Sequence, residues 1–326
     1  MGAYIIRRLL IAIPVLLGIT LIGFVALKLA PGDPLLTSIN PDVLANLAKN
    51  PEILEQQRRA LGFDQPVFPH QYLRWLGGVL QGDLGYSLST HRSITYEIGS
   101  RLPQTLYLMV TALVLAVLIG IPIGVISAVK QYSKTDYALN GITIFLASVP
   151  VFVLGLVFIY VFAVNLQLVP TSMPHSYGRS DIPNAIHHLL LPAIVLAIVN
   201  AAPLARYTRA AMLDVLHSEY VTTAKAKGLV RRHVVLRHAF RNGLIPIITI
   251  IAWLAPEAIA GAVITEQIFA WNGMGQLAVD AAGARDPSLM MGIILITGVA
   301  VLAANIIADI AYAVADPRVR YNMGKA

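Results

Sequence analysis

The stretch LPQTLYLMVTALVLAVLIGIPIGVISAV, Leu102 to Val129, runs for 28 residues without a charged side chain. A helix crosses the hydrocarbon core of a bilayer with about 20 mostly apolar residues, so this segment is long enough to span it. Five other segments read the same way. Leu9–Leu27 is uncharged for 19 residues behind Arg7 and Arg8. That run exceeds the roughly 7–15 residues of a secretory h-region, so it reads as a retained first span. Tyr137–Val169 is uncharged for 33 residues, enough to cross and continue outside, and Ile182–Ala205 for 24. Asn242–Thr265 carries one charge, Glu257, and Pro287–Ala308 none, with its helix expected to pass Asp309 and end near Ala315. Six crossings predict an all-α integral membrane protein with both termini on one side.

Composition agrees with the spans. Of 326 residues, 57% are hydrophobic and 13% charged, where soluble globular chains carry about 25% charge. Mean hydropathy is +0.70. Soluble, disordered, coiled-coil and collagen-like classes are excluded. The net charge of +7 could suggest a nucleic-acid partner. Placement argues otherwise: 15 of the 24 Lys and Arg fall at the N-terminus, in 130–136, in 206–241 and in the tail, and 9 fall in the other, longer segments. Cytoplasmic termini satisfy the positive-inside rule, and the basic surplus is a consequence of topology rather than of nucleic acid. There is no cysteine, so disulfides, thiol nucleophiles and iron–sulfur sites are excluded.

Two connections exceed the 2–8 residues usual between packed helices. Residues 31–101, 71 in all, form an external loop region broken by Pro31, Pro34, Pro41, Pro51, Pro66 and Pro69. Two short amphipathic helices are expected there; in the second, Tyr72, Trp75, Leu76, Val79 and Leu80 recur at helical spacing. Such a helix lies on the lipid surface or serves an external partner as a docking platform. The chain divides accordingly into 1–30 (tail and first span), 31–101 (external loop) and 102–326 (a five-helix core with a cytoplasmic loop at about 206–241).

The loop at 206–241 contains Ser218-Glu219-Tyr220-Val221-Thr222-Thr223-Ala224-Lys225-Ala226-Lys227-Gly228. Ser218 suits an N-cap. Glu219 sits at the positive end of the helix dipole, Lys225 and Lys227 at the negative end. Gly228 suits the left-handed residue that ends a helix. The predicted helix of about nine residues, roughly 13 Å long, is marginal alone in water and needs packing. Anionic lipid could hold it through its basic residues, or it inserts into a groove on a cytoplasmic partner. Small side chains at Ala224 and Ala226 favour the second.

Catalytic signatures are missing. There is no HExxH, and the eight histidines lie in loops or near span ends; His233 and His238, five apart, carry no metal spacing. No phosphate-binding loop occurs, Gly324-Lys325 being the only Gly-Lys. ATP-driven work would therefore need another chain. Two ionisable residues fall within spans, where burial is costly. Glu257, after Pro256, could line a polar translocation path. Asp309, near Asn305, could pair with Arg206 and lock two helices. Gly120 and Gly124 form a small-xxx-small site for close helix packing.

Glu219–Gly228 closely resembles the coupling loop of ABC importer permeases, and more narrowly that of the dipeptide/oligopeptide/nickel family. Arg7-Arg8, Pro31-Gly32-Asp33-Pro34, Gly82-Asp83-Leu84-Gly85 with Ser87, and Leu191-Pro192 fit in order. So do His238-Ala239-Phe240-Arg241-Asn242, Thr265-Glu266 with Ile268-Phe269, Gly273-Met274-Gly275 and Asp316-Pro317-Arg318. The general importer loop ends in Leu-Pro, thirteen residues after its Gly; here that position is Arg241, after Phe240, and the peptide branch typically shows Arg-Asn there. The pattern is similar to the first permease of the operon pair, the one with a long external loop. The resemblance implies the type I importer permease fold, a second permease (a heterodimer), two ATP-binding subunits, an external substrate-binding protein and a lipid membrane. ATP and Mg would be bound by the ATPases, with no cofactor on this chain. It also implies that Glu219, Tyr220, Thr223, Ala224, Lys225, Ala226, Lys227 and Gly228 couple to the ATPase. Di- or oligopeptides are the implied cargo, with nickel, glutathione or oligosaccharides as alternatives.

Two other classes compete. An ion-coupled secondary transporter would act alone, but the chain shows no obvious internal repeat and few membrane charges for a proton relay. An intramembrane protease would need a Ser–His or paired-Asp site within the spans, and no histidine is well placed for one.

Overall fold

The computed structural model describes residues 2–29, 65–171 and 182–315, with isolated positions between 52 and 59. Among these residues the regular structure is helical, apart from one β-bridge between Tyr86 and Ser93. The helices are α1 (Gly2–Leu29), α2 (Tyr72–Leu80), α3 (Ile94–Val129), α4 (Lys134–Ser148), α5 (Val151–Phe158), α6 (Ile182–Leu216), α7 (Glu219–Ala226), α8 (Arg241–Ile268), α9 (Met274–Gly283) and α10 (Pro287–Ala315). π-Helical stretches extend α5 through Ile159–Asn165 and lead into α8 through Val234–Phe240.

Four helices are long and apolar enough to cross a membrane, and two bent pairs raise the number to six if each pair is one crossing. Reading Tyr137–Val169 as a single span is therefore modified. It consists of two segments, Lys134–Ser148 and Val151–Asn165, that meet at 102°. Val149 and Pro150 are both extended. Proline disfavours the helical region for the residue before it and supplies no N–H, so the helix stops there. Arg231–Leu244 and Pro246–Leu254 form the second pair, at 52°. Helix α3 starts eight residues before the predicted Leu102, at Ile94. Its 36 residues extend about 54 Å, well beyond the roughly 30 Å hydrocarbon core.

Two compact units are present. One comprises Thr105–Asn272 with the last helix from Val301 onward. Helix α6 runs through it, packed on α8, α4 and α5. Leu204, Ile247 and Leu254 form one fully buried cluster, and Leu154, Leu191, Val195 and Phe269 another. Gly120 and Gly124 bring α3 onto α6. A Cβ at Gly124 would lie 2.5 Å from the Ala205 carbonyl oxygen, and one at Gly120 2.9 Å from that of Ala201.

The other unit comprises Ile6–Gln104 with Gly273–Ala300. Ile94 and Ile98, on the polar-looking extension of α3, are buried against Met274, Leu277 and Leu289. The predicted amphipathic helix is α2, and this unit covers part of its apolar face: Tyr72 is buried and Trp75, Leu76 and Val79 half-buried, while Leu80 is 80% exposed. Tyr72 and Trp75 cluster with Phe24 and Met291. The Tyr72 and Phe24 rings meet edge-on at 5.5 Å, and Tyr72 and Thr20 share a buried hydroxyl–hydroxyl hydrogen bond of 3.0 Å. The first predicted amphipathic helix falls mainly outside the described residues.

The Gly82-Asp83-Leu84-Gly85 motif is a turn with positive φ at both glycines, +81° and +80°. The Gly85 N–H donates to the Asp83 carboxylate at 2.8 Å. Buried Asp286 accepts from the Ser87 hydroxyl at 2.6 Å and from the Leu289 N–H at 2.9 Å. It thereby caps α10, whose first residue is Pro287, and holds the turn in place.

Candidate functional site

Helix α7 spans eight residues, Glu219–Ala226, one fewer than expected. Ser218 has the extended backbone of an N-cap, but its hydroxyl donates back to the Val215 carbonyl at 2.6 Å instead of capping. Gly228 ends the helix with φ +75°, as the sequence predicts. The helix has two faces. Val221 and Ala224 are buried with Ala128, Met212, Val234, Val235 and Ala239. Glu219, Tyr220, Thr223, Lys225, Ala226, Lys227 and Gly228 are exposed. Part of the packing that so short a helix needs thus comes from its own chain. Ala224 belongs to that inner face, so of the two alanines only Ala226 is open to a partner.

The return from α7 is also anchored. The Arg231 guanidinium donates to the Val129 carbonyl, at the end of α3, at 2.6 Å. His233 and His238 meet edge-on at 5.7 Å. Beside them Leu229, Val230 and Leu236 are exposed apolar residues among Arg232 and Arg237.

Sequence reasoning missed the polar centre beneath this loop. Asp136, in the first turn of α4, is 2% exposed. Arg209, on α6, grips it with two parallel bonds, Nε to Oδ1 at 2.9 Å and Nη2 to Oδ2 at 2.8 Å. Tyr132 N–H donates to Oδ2 at 2.9 Å and Asn140 Nδ2 to Oδ1 at 2.6 Å, and the Ser127 hydroxyl also donates to Oδ1. Five donors from α3, the 130–133 turn, α4 and α6 satisfy one carboxylate. The bidentate fork is the strong form of such a pair. The available signal was Ser133 three residues before Asp136, a capping spacing; the Asp136 N–H does donate to the Ser133 hydroxyl, at 3.2 Å.

The other predicted residues lie apart from this loop network. Glu257 is within α8, and its side chain is outside the described residues. Asp309 is half-buried on α10 and Arg206 exposed on α6. Arg209, further along α6, is the arginine that grips Asp136. Within the Thr265-Glu266 motif, Glu266 is fully buried and accepts from the Thr105 hydroxyl at 2.6 Å. Its carbonyl accepts the Trp271 N–H at 2.8 Å, closing the end of α8.

Comparison with known proteins places this architecture. Residues 120–321 match the family described as binding-protein-dependent transport system inner membrane component, and residues 1–109 match the N-terminal region of such components. An oligopeptide transport system permease of Bacillus subtilis (strain 168) is 44% identical over 323 residues, covering 98% of this chain and all of the relative. A dipeptide transport system permease of Escherichia coli (strain K12) is 34% identical over 340 residues, covering 98% of each. A glutathione transport system permease of Escherichia coli O6:H1 is 35% identical over 318 residues, covering 98% of this chain and 99% of the relative. Among solved structures, the chain resembles one from a methionine ABC transporter in inward-facing conformations. The TM-score is 0.58 at 15% identity, covering 68% of this chain and 98% of that one. The fold is thus shared at a sequence distance where identity alone would be silent. With the family match running through most of the chain and full-length relatives above 30% identity, the protein belongs to the binding-protein-dependent transport system inner membrane components.

Proposed function

We propose that this chain is the membrane permease subunit of an ATP-driven importer of di- and oligopeptides. Its bent pairs each make one crossing, giving six, and both termini are cytoplasmic. It pairs with a second, non-identical permease. Two ATPase subunits dock below and bind ATP and Mg, and an external binding protein delivers substrate. Helix α7 is the coupling helix. The single observation that carries the reading is the two-faced geometry of α7. Val221 and Ala224 fasten it to the permease, while Glu219, Tyr220, Thr223, Ala226 and Lys227 remain open on the other side. That outer face would seat in an ATPase groove. ATP-driven closure of the ATPases would tilt the spans and expose the cavity outward, and hydrolysis would reopen it inward. Peptide cargo is supported by relatives named for oligopeptides and dipeptides; glutathione, named for another relative, is itself a tripeptide.

Gentle purification from native membranes, mass spectrometry of the co-purifying chains and an ATPase assay of the eluate test this. A second permease with P-loop ATPases, and labelled dipeptide uptake that requires ATP, is the expected result. Uptake of nickel or an oligosaccharide in place of peptide would replace the cargo. A chain that comes out alone and transports in liposomes without ATP would overturn the reading in favour of an ion-coupled secondary transporter.

A further inference from the structure

Helix α6 carries α7 on a two-residue link, His217 and Ser218. It also contains Pro203 six residues before Arg209. Proline removes one helical hydrogen bond, so the α6 backbone is weakened there. A displacement of α7 would bend α6 at Pro203 and dissipate unless the segment beyond the proline were tied to something else. It is tied at two levels. Gly124 of α3 abuts Ala205 and Thr208, and at the next residue, Arg209, Asp136 closes the bidentate fork. Asp136 is in turn held by Ser127, Tyr132 and Asn140, all of the α3–α4 hairpin.

We infer that the Asp136–Arg209 pair is a positioning element for energy coupling: it makes the end of α6, helix α7 and the 127–140 hairpin move as one body, adding a directional tie from α6 to α3 and α4 beside the apolar packing of α7 on Ala128. This rests on the reading of α7 as the ATPase contact. The pair suits the task because it is directional. Two parallel bonds resist rotation as well as separation, which apolar packing alone does not. With its carboxylate buried and satisfied by five donors, it favours one discrete arrangement over graded slippage.

The test uses the complete complex in proteoliposomes, with ATPases and binding protein, and reads labelled dipeptide transported per ATP hydrolysed. Asp136→Asn keeps the shape and removes the charge. It is expected to assemble and to hydrolyse ATP while transport per ATP falls about tenfold, the scale of coupling between contacting charged residues. Arg209→Lys keeps charge without the fork and should fall between. Spin labels at exposed Lys134 and Thr222 should show a narrow distance distribution in the wild type and a broad one in Asp136→Asn. An unchanged transport-to-ATP ratio overturns the inference. So does an assembled complex in which hydrolysis and transport fall in equal proportion, which marks a structural role only. If Asp136→Asn fails to assemble, Ser127→Ala, which removes one donor, must show the same split at smaller size, and a proportional loss overturns the inference again. If the wild-type complex transports without hydrolysing ATP, the importer reading fails instead, while the spin-label distances still report whether the pair holds α7 to the hairpin.

Discussion

Gly228 concentrates several physical constraints in one residue. Its φ of +75° lies in the left-handed region, and no atom lies within 4 Å of where a Cβ would be. Within this chain, substitution there is therefore a backbone effect. An L-residue in that conformation costs about 1–2 kcal/mol, less for Asn, which tolerates it. The expected order of ATP-driven uptake is Gly228, then Asn, Ala and Val, the β-branched residue being worst. ATPase subunits that co-purify with the permease should decline in the same order. Wild-type uptake by Gly228→Val would remove the coupling-helix assignment. The residue was legible because glycine after a Ser-to-Lys helix has few other uses. Asp136 was not legible, because a single sequence does not reveal that the arginine facing it stands 73 positions later. Ser218 shows a smaller lapse: the N-cap position was predictable from residue type, whereas the direction of its hydroxyl depends on the local turn.

At the level of elements, membrane helices gain little from burying apolar surface against each other, so association depends on close contact. The α3–α6 seam makes this measurable. At Gly124 an added Cβ meets a backbone carbonyl at 2.5 Å and the Thr208 Cβ at 2.6 Å, neither of which can swing away. Gly120 is less tight, and Gly141 of α4 has nothing within 4 Å. Gly124→Ala should lower stability in detergent by about 2 kcal/mol, the middle of the range for overpacking. Gly120→Ala should cost less. Gly141→Ala should be neutral or slightly stabilising, since alanine is the better helix former. Thermal unfolding of the three variants checks the order, and equal effects would mean the seam is looser than drawn. Gly120-x-x-x-Gly124 was readable as a packing motif, but its partner helix was not. The break at Pro150 was present in the sequence and outweighed by the length of the uncharged run around it. The early start of α3 was hidden by polar residues, although Ile94, Ile98 and Leu102 already stood at i, i+4 and i+8.

For the whole molecule, charge is sparse where apolar surface is exposed. On α1, Leu10 is 62% and Ile22 72% exposed, an arrangement that only lipid or a neighbouring helix can cover. This makes the fold class readable from composition, and it makes any isolated charge within a span informative. Glu257 is the single charged residue between Arg241 and Glu266. A carboxylate at such a depth is costly unless it faces protein or water. If Glu257 serves the translocation path, Glu257→Gln should leave assembly and ATP hydrolysis intact while slowing peptide uptake, because the amide keeps the shape and loses the charge. The loss should be largest for cationic peptides and smallest for anionic ones, since the changed interaction is electrostatic. If Glu257 is instead a structural charge satisfied within the helix bundle, the same change should shift thermal stability and act equally on all peptides. Uptake measured with a charge series of dipeptides separates the two, and unchanged uptake with unchanged stability would remove Glu257 from the path altogether.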